Sequence, residues 1–297
     1  MKISCCWLFA ISKYGYPPSL PNTHRALAEI AALGFTSVEL EGVGEENLRA
    51  VSEARQDLKA RCDGLGLKVV NFCPVLPDLV HPEKARRIQA LDLFKLGVET
   101  ANFFGCEMVQ TISSTPPLAF VGDAPYKDAL AYGQRYQVKV DPAFSWDSLW
   151  GWLTDSMGAC ADEADRAGLR LCLEPRVGEI ISNTDGLLRL MEAVDSDNFG
   201  AVLDTGHLNA QKEILPLSVE KLGSRIYYVH ASDNDGQTNQ HLAPGRGTVG
   251  WDGVFAALKK HGFSGHVAVD VGNVPDVDAQ YKESKAFLES LASRLGL

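Results

Sequence analysis

Short apolar or β-branched runs alternate with longer stretches of helical period from one end of the chain to the other. Strands are predicted at roughly 2–9 (KISCCWLF), 37–42 (SVELEG), 68–73 (KVVNFC) and 107–113 (EMVQTIS), and again at 170–174 (RLCLE), 200–205 (GAVLDT), 226–232 (IYYVHAS) and 266–271 (HVAVDV). Helical patterns fill 23–33, 46–65, 83–104, 147–167, 184–194, 252–261 and 279–295, with a weaker one near 215–223. Several end in ALGF, GLGL, FFGC, RAGL or KHGF, where a glycine just past the last periodic residue suits a helix C-cap. Asn22, Ser145 and Asn183 stand where N-caps belong. Eight strand-then-helix units in 297 residues predict an α/β fold, a (β/α)8 TIM barrel forming a single domain over 1–297, in preference to a doubly wound open sheet.

One stretch breaks the rhythm. Residues 114–145, after strand four, are too long for a plain connection and carry four prolines and three tyrosines. Loops of this length in compact domains are usually functional, so the segment is read as a candidate lid over the barrel mouth, the alternative being a surface insertion.

Composition narrows the function classes. With 45% hydrophobic and 22% charged residues the chain can bury a sizeable core. A net charge of −10 argues against nucleic acid as a partner, because a phosphate backbone is bound through Lys and Arg. No apolar run approaches the ~20 residues of a spanning helix, so no membrane partner is expected. Seven cysteines without a C-x-x-C pair, most inside apolar runs (Cys5, Cys6, Cys73, Cys106, Cys172), read as buried free thiols of a cytoplasmic protein.

In a barrel the chemistry gathers where strands end at the C-terminal face. Strand five ends in Glu174-Pro175-Arg176, strand six in Asp204-Thr205-Gly206-His207, strand seven in His230-Ala231-Ser232-Asp233 and strand eight in Asp270. Each acid or imidazole taken alone reads as a hydrogen-bonded cap. Together, three carboxylates and an imidazole on one rim would repel one another unless a cation lies at their centre. Such an oxygen-rich set suits one divalent ion, Mn2+ first and Mg2+ next, with Co2+, Fe2+ or Zn2+ admitted through the histidine.

The segment HLAPGRGTVGWDG, His241 to Gly253, contains Gly245-x-Gly247-x-x-Gly250, formally a dinucleotide fingerprint. That fingerprint needs a strand running straight into its first glycine, and here a polar loop intervenes, so NAD is not expected. The glycines are read instead as room for a loop to approach a ligand, with Asp252 a first-turn acid of the next helix.

The series LEP, VLDTGHL, VHASD, HLAPGRG and a final strand-end acid resembles the sugar phosphate isomerase/epimerase family of xylose isomerase-like barrels, which includes ketose 3-epimerases, hydroxypyruvate isomerase and inosose dehydratase. The resemblance covers the whole chain as architecture and 170–272 as motif. It implies metal ligands at Glu174, Asp204, His230 and Asp270, a substrate-facing His207, and a closing loop carrying His241 and Arg246. The last ligand is commonly Glu in relatives, so Asp270 is one methylene short. For His207 the alternative is an imidazole that caps a helix or bonds a carbonyl.

The resemblance further implies a metal-dependent sugar isomerase or epimerase working through an enediolate. Glu174 is then the general base, Asp270 returns the proton, His207 polarises a substrate oxygen and Arg246 orients a distal hydroxyl or phosphate. Glu41 and Gln110, at the rims of strands two and four, are further candidates for sugar hydrogen bonds. The same intermediate can eliminate, which gives a dehydratase or lyase on a keto-sugar, keto-inositol or oxidised (C-)glycoside as the alternative. More remote readings are an abasic-site endonuclease, which lacks its extra metal sites here, and a non-catalytic sugar-binding subunit. The expected partner is a small sugar or keto-sugar, with a homo-oligomer or partner subunit in keeping with relatives.

Overall fold

The computed structural model describes residues 1–121 and 137–297. Eight parallel strands close into a barrel: β1 Lys2–Cys5, β2 Ser37–Val43, β3 Lys68–Val75, β4 Met108–Ile112, β5 Arg170–Glu174, β6 Phe199–Asp204, β7 Ile226–Ala231 and β8 His266–Val269. Neighbours in sequence are neighbours in space, and β8 closes on β1 through Lys2↔His266 to Cys5↔Val269. The expected TIM barrel is the observed one. Residues 122–136, the middle of the lid proposed for 114–145, lie outside the described residues; at its flanks Ala119–Phe120 pairs antiparallel with Val138–Lys139.

Most predicted helices appear within a few residues of their expected bounds, including Lys84–Phe104, Trp146–Arg166 and Thr184–Val194. Ser145 and Asn183 cap as expected, their side chains accepting the Ser148 and Gly186 N–H groups. Asn22 does not. Its helix starts earlier, at Leu20, with a proline in the first turn and Ser19 extended at the cap, because proline is preorganised for that position. The single helix expected over 46–65 divides at Ala54 into Gly44–Glu53 and Arg55–Leu65.

The first strand is also shorter than its apolar run. It stops at Cys5, and Leu8–Tyr14 is a helix whose Leu8, Phe9 and Ala10 are buried. The Trp7 N–H donates to Glu39 Oε1 at 3.0 Å and the Trp7 carbonyl accepts from Ile11 at 3.2 Å, so the backbone leaves the sheet there and begins to coil. Apolarity could not separate the two states, since strand and helix are both buried.

The main core lies between the strands and the surrounding helices, and a smaller apolar cluster that includes Val70, Met108, Cys172, Val202, Tyr228 and Ala268 fills the barrel interior. All seven cysteines are buried free thiols. No helix among the described residues is long and apolar enough to cross a membrane.

Tyr281, on the last helix Val277–Leu295, packs edge-on against Phe9 at 4.9 Å and Phe35 at 6.1 Å between ring centroids. Its hydroxyl is buried and has no hydrogen-bond partner among the described residues. A buried donor without an acceptor costs free energy that the ring's packing must overcome. Tyr281→Phe is therefore expected to stabilise the fold by about 1 kcal/mol, read as a higher urea midpoint. A lower midpoint would mean that the hydroxyl is satisfied after all.

Candidate active site

Period-two alternation builds the site. On β4 to β7 an apolar side chain fills the interior and the residue two positions on, on the same face, is polar: Met108 then Gln110, Cys172 then Glu174, Val202 then Asp204, Tyr228 then His230. Ala268 and Asp270 repeat the pattern as β8 ends. Gln110, Glu174, His230 and Asp270 line a cavity of about 760 Å3 together with Glu41, Arg176, Glu179, His207 and His241. Asp204 is fully buried beside His230, its pairing partner in the next strand.

The His230 ring spans the barrel between acids. Nδ1 lies 2.8 Å from Glu174 Oε1 and 3.8 Å from Asp204 Oδ2, while Nε2 lies 3.0 Å from Glu39 Oε2. Burial alone would lower the His230 pKa, but the charges of Glu39 and Glu174 outweigh it and hold the ring well above the usual histidine range. Burial likewise opposes ionisation of Glu174, and His230 and Arg176 overcome it, so this carboxyl sits well below its usual range. Glu174 Oε2 also accepts from Gln110 Nε2 at 3.1 Å.

Asp204 Oδ1 accepts the His207 N–H at 2.7 Å and so caps the short helix Thr205–Ala210. Oδ2 is buried with no hydrogen-bond partner among the described residues. Burial, then the charges of Asp270 and Glu174, push Asp204 well above the usual carboxylate range. An orphaned carboxylate oxygen, a second carboxylate and an imidazole nitrogen, all within 4.8 Å of one another, form a donor set that a divalent cation satisfies. Cys6, Glu39 and His230 form another such trio. It fits less well, because burial and the Asp270 charge keep the Cys6 thiol protonated and Glu39 already serves Trp7 and His230.

Asp270, expected as a fourth donor, is not one of the Glu174, Asp204 and His230 trio, though it lies near enough for its charge to act on Asp204. Its Oδ1 accepts from the Cys6 thiol at 3.0 Å and its Oδ2 lies 3.1 Å from His241 Nδ1. Asn239 Nδ2 donates to His241 Nε2 at 3.2 Å, which leaves the ring hydrogen on Nδ1, facing the acid. Burial opposes the charge on Asp270, and the His241 ring more than offsets it, so the carboxyl is held well below its usual range.

His207 accepts the Val177 N–H at Nδ1 (3.2 Å), which places its hydrogen on Nε2. Burial, reinforced by Arg176, lowers its pKa well below the usual value, so the ring is neutral. It meets the His241 ring edge to face at 5.6 Å. Glu41 lines the cavity as expected, and burial followed by the Glu39 charge pushes it up to about 8. Arg246 does not join them: it is exposed on the outer surface and pairs with Glu283 at 2.5 Å. Among the described residues the guanidinium at the cavity is that of Arg176, 3.8 Å from Glu174 Oε2 and 3.6 Å from Glu179 Oε1.

Gly206 follows Asp204 at the close contact between this strand end and the loop after β7. It lies in a helix, and a side chain there would collide with Ser232 and Asn239. The glycine-rich loop also differs from expectation, because its amides serve a protein acid. Asp233 Oδ1 accepts the N–H groups of Asn234 (2.9 Å) and Val249 (3.0 Å), and Oδ2 accepts Gly245 N–H and Trp251 Nε1 (both 2.9 Å). Gly247 packs so closely on Asp233 and Asn234 that no Cβ fits.

Glu39, Arg176, Glu179 and Cys6 were not anticipated. Glu39 and Glu41 sit two apart in SVELEG, and that spacing was the available signal that both face inward. Glu179 accepts the Ser113 N–H and hydroxyl, both at 3.0 Å, and burial, partly offset by Arg176, pushes its pKa up to about 7. The folded protein then retains a proton on Glu179 between about pH 4.5 and 7 that the unfolded chain has released, so stability falls as pH rises through this window. Glu179→Gln is expected to remove that fall, on the order of 3 kcal/mol, when melts at pH 5 and pH 8 are compared with the parent. Identical pH slopes in both proteins would refute it.

Comparison with known proteins bears on what such a cavity does. The chain is 24% identical over 261 residues to fructoselysine 3-epimerase of Shigella flexneri, spanning 85% of this chain and 86% of that protein. It is 22% identical over 293 residues to inosose dehydratase of Geobacillus kaustophilus, spanning 91% and 88%. A further match is partial: the chain is 32% identical over 132 residues to an uncharacterised protein of Methanocaldococcus jannaschii, or 42% of this chain and under half, 45%, of that protein. Among solved structures, L-ribulose 3-epimerase superposes with a TM-score of 0.75 at 18% identity, covering 99% of this chain and 95% of that one, a likeness of fold. The profile of one family runs through residues 27–291, from the first barrel-packing helix into the last, and by it the chain belongs to the xylose isomerase-like TIM barrel family.

Proposed function

We propose that this chain is a divalent-metal-dependent sugar isomerase or epimerase that moves a proton beside a carbonyl through an enediolate. The observation that carries the reading is the trio of Glu174, Asp204 and His230, with its orphaned Asp204 oxygen, at a cavity that His207 also lines. These three residues would hold the ion. When bound, a divalent cation supplies several kcal/mol of stabilisation to negative charge developing on a substrate oxygen.

The chain's own groups do the rest. Glu174, ionised and braced by Gln110 and His230, takes the proton from the substrate carbon. Asp270, oriented by Cys6 and His241, relays a proton on its own side of the cavity, taking it from solvent water and handing it to the carbon, while the proton held by Glu174 leaves to solvent. His207 donates its Nε2 hydrogen to a substrate oxygen, and Arg176 steadies Glu174 and Glu179 at the sugar's edge. Glu41 and Gln110 offer hydrogen bonds to hydroxyl groups. Elimination from the same intermediate is the second reading, supported by the inosose dehydratase relative.

Purified protein is expected to carry about one divalent ion per chain, Mn2+ first, and to catalyse deuterium uptake from D2O into a keto-sugar. Chelation should abolish the uptake, and added Mn2+ should restore it. Mass loss of one water without reprotonated product would favour elimination. No ion and no uptake across a panel of ketoses would overturn the proposal.

A further inference from the structure

Five buried polar side chains close into a ring beneath the barrel mouth. Glu39 Oε2 lies 3.0 Å from His230 Nε2, and His230 Nδ1 lies 2.8 Å from Glu174 Oε1. Gln110 Nε2 donates to Glu174 Oε2 at 3.1 Å. Asn71 Nδ2 donates to Gln110 Oε1 at 2.6 Å and, in the longest link, to Glu39 Oε2 at 3.5 Å. The ring thereby joins β2, β3, β4, β5 and β7.

Two of its members lie beyond the reach of a ligand. Gln110, Glu174 and His230 line the cavity, whereas Glu39, 3% exposed, and Asn71, fully buried, are not among its lining residues. Their placement is local in origin. The pairing of β2 with β3 moves from Val38↔Val69 to Glu39↔Asn71, so Val70 is passed over and the acid comes to stand opposite the amide. Turned toward two acceptors, Asn71 leaves its own Oδ1 buried with no hydrogen-bond partner among the described residues. An apolar side chain at 71 would avoid that cost, so the amide serves something other than stability.

Glu39 is held from behind as well. β1 stops at Cys5, and the Trp7 N–H, turned out of the sheet, donates to Glu39 Oε1 at 3.0 Å. The Trp7 carbonyl accepts from Ala10 (2.9 Å) and Ile11 (3.2 Å), which fixes the turn that presents this N–H. One oxygen of Glu39 is thus tied to the backbone while the other faces the imidazole.

Imidazole chemistry gives that contact its meaning. A histidine holds a cation through a ring nitrogen that carries no hydrogen, and the hydrogen on its other nitrogen then needs an acceptor. Nδ1 is the nitrogen on the side of Glu174 and Asp204, so the hydrogen belongs on Nε2, opposite Glu39. We propose that Glu39 is a positioning residue: held by the Trp7 N–H and Asn71, it sets the tautomer and aim of His230 so that Glu174, Asp204 and His230 take up a divalent cation. This rests on the metal-binding reading above and assigns it a residue that does not touch substrate.

Mn2+ titration of the metal-stripped full chain, read by the EPR signal of the free ion, tests it. Glu39→Gln is expected to weaken Mn2+ binding by about ten- to hundredfold, because the single oxygen of an amide cannot serve both Trp7 and His230. Glu39→Asp keeps the charge, withdraws both oxygens by one methylene and should lose about tenfold. Melts check that each variant folds, and if only one does, it is read alone. Nitrogen NMR of the Zn2+-loaded parent, with isotope-labelled histidine, should place the His230 hydrogen on Nε2, and Glu39→Gln should shift that signal. Parent-like binding in the variants, a loss in Glu39→Gln that Glu39→Asp does not share, or a His230 hydrogen on Nδ1 would overturn the assignment. Two ions per chain in the parent, falling to one in Glu39→Gln, would make Glu39 a ligand and overturn it too. A parent that binds no ion would overturn this inference together with the proposed function, whereas Mn2+ binding without deuterium uptake would remove the isomerase reading alone.

Discussion

Glu174→Gln is expected to cut deuterium uptake into a keto-sugar by about a thousandfold, the order lost when a general base is removed. The amide matches the carboxylate in shape, so Leu173 and Cys172 beneath it stay packed and the barrel should melt within a few degrees of the parent. What changes is chemical. An amide cannot take a proton, and it brings no negative charge to a cation or to the His230 ring 2.8 Å from Oε1. Metal content measured on the same preparation tells the two losses apart, since a base that is not a ligand would leave the ion in place. Glu179→Gln serves as the control, because Glu179 lies on the far side of Arg176 and should retain uptake within about tenfold. Uptake by Glu174→Gln within tenfold of the parent would remove this residue from the reaction.

The second large effect is structural. Asp233→Ala removes one buried carboxylate that accepts four hydrogen bonds and leaves four N–H groups without partners, a loss expected to exceed about 4 kcal/mol in the urea midpoint. Those donors all belong to residues 234–251, the loop that also delivers Asn239 and His241. Activity should therefore fall together with stability. Asp233→Asn is the sharper probe: it keeps an acceptor for Asn234 and Val249 but turns an amide N–H toward Gly245 and Trp251, so an intermediate loss is expected. A full-strength fold in the alanine variant would show that the loop is held by other means.

The eight strands were legible in the sequence because apolar runs and amphipathic helices alternate along the chain, interrupted only at 114–145, and the rim residues followed from knowing where barrel strands end. Glu174, Asp204 and His230 could be found this way, since each interrupts an otherwise apolar strand. Cys6 could not, because its apolar setting resembles any core thiol and only the folded barrel brings Asp270 to it across 264 residues. Arg246 shows the converse. A basic residue in a glycine-rich loop looks like a ligand contact, yet the loop turns its backbone inward to Asp233 and its arginine outward to Glu283. Arg176, two residues after a predicted ligand, carries no periodic signal because it follows the strand rather than belonging to it.

Gln110, Glu174, Asp204, His230 and Asp270 each stand two positions above a close-packed apolar residue, so these groups rest on the interior like keys on their levers. Enlarging Ala268, or trimming Tyr228, would be transmitted up the same strand to Asp270 or His230 without touching either. If the proposed function holds, a library that varies only the sealed interior beneath the mouth should alter which sugars are turned over, and drift in that hidden layer offers evolution a route to new specificity that leaves every chemical group unchanged.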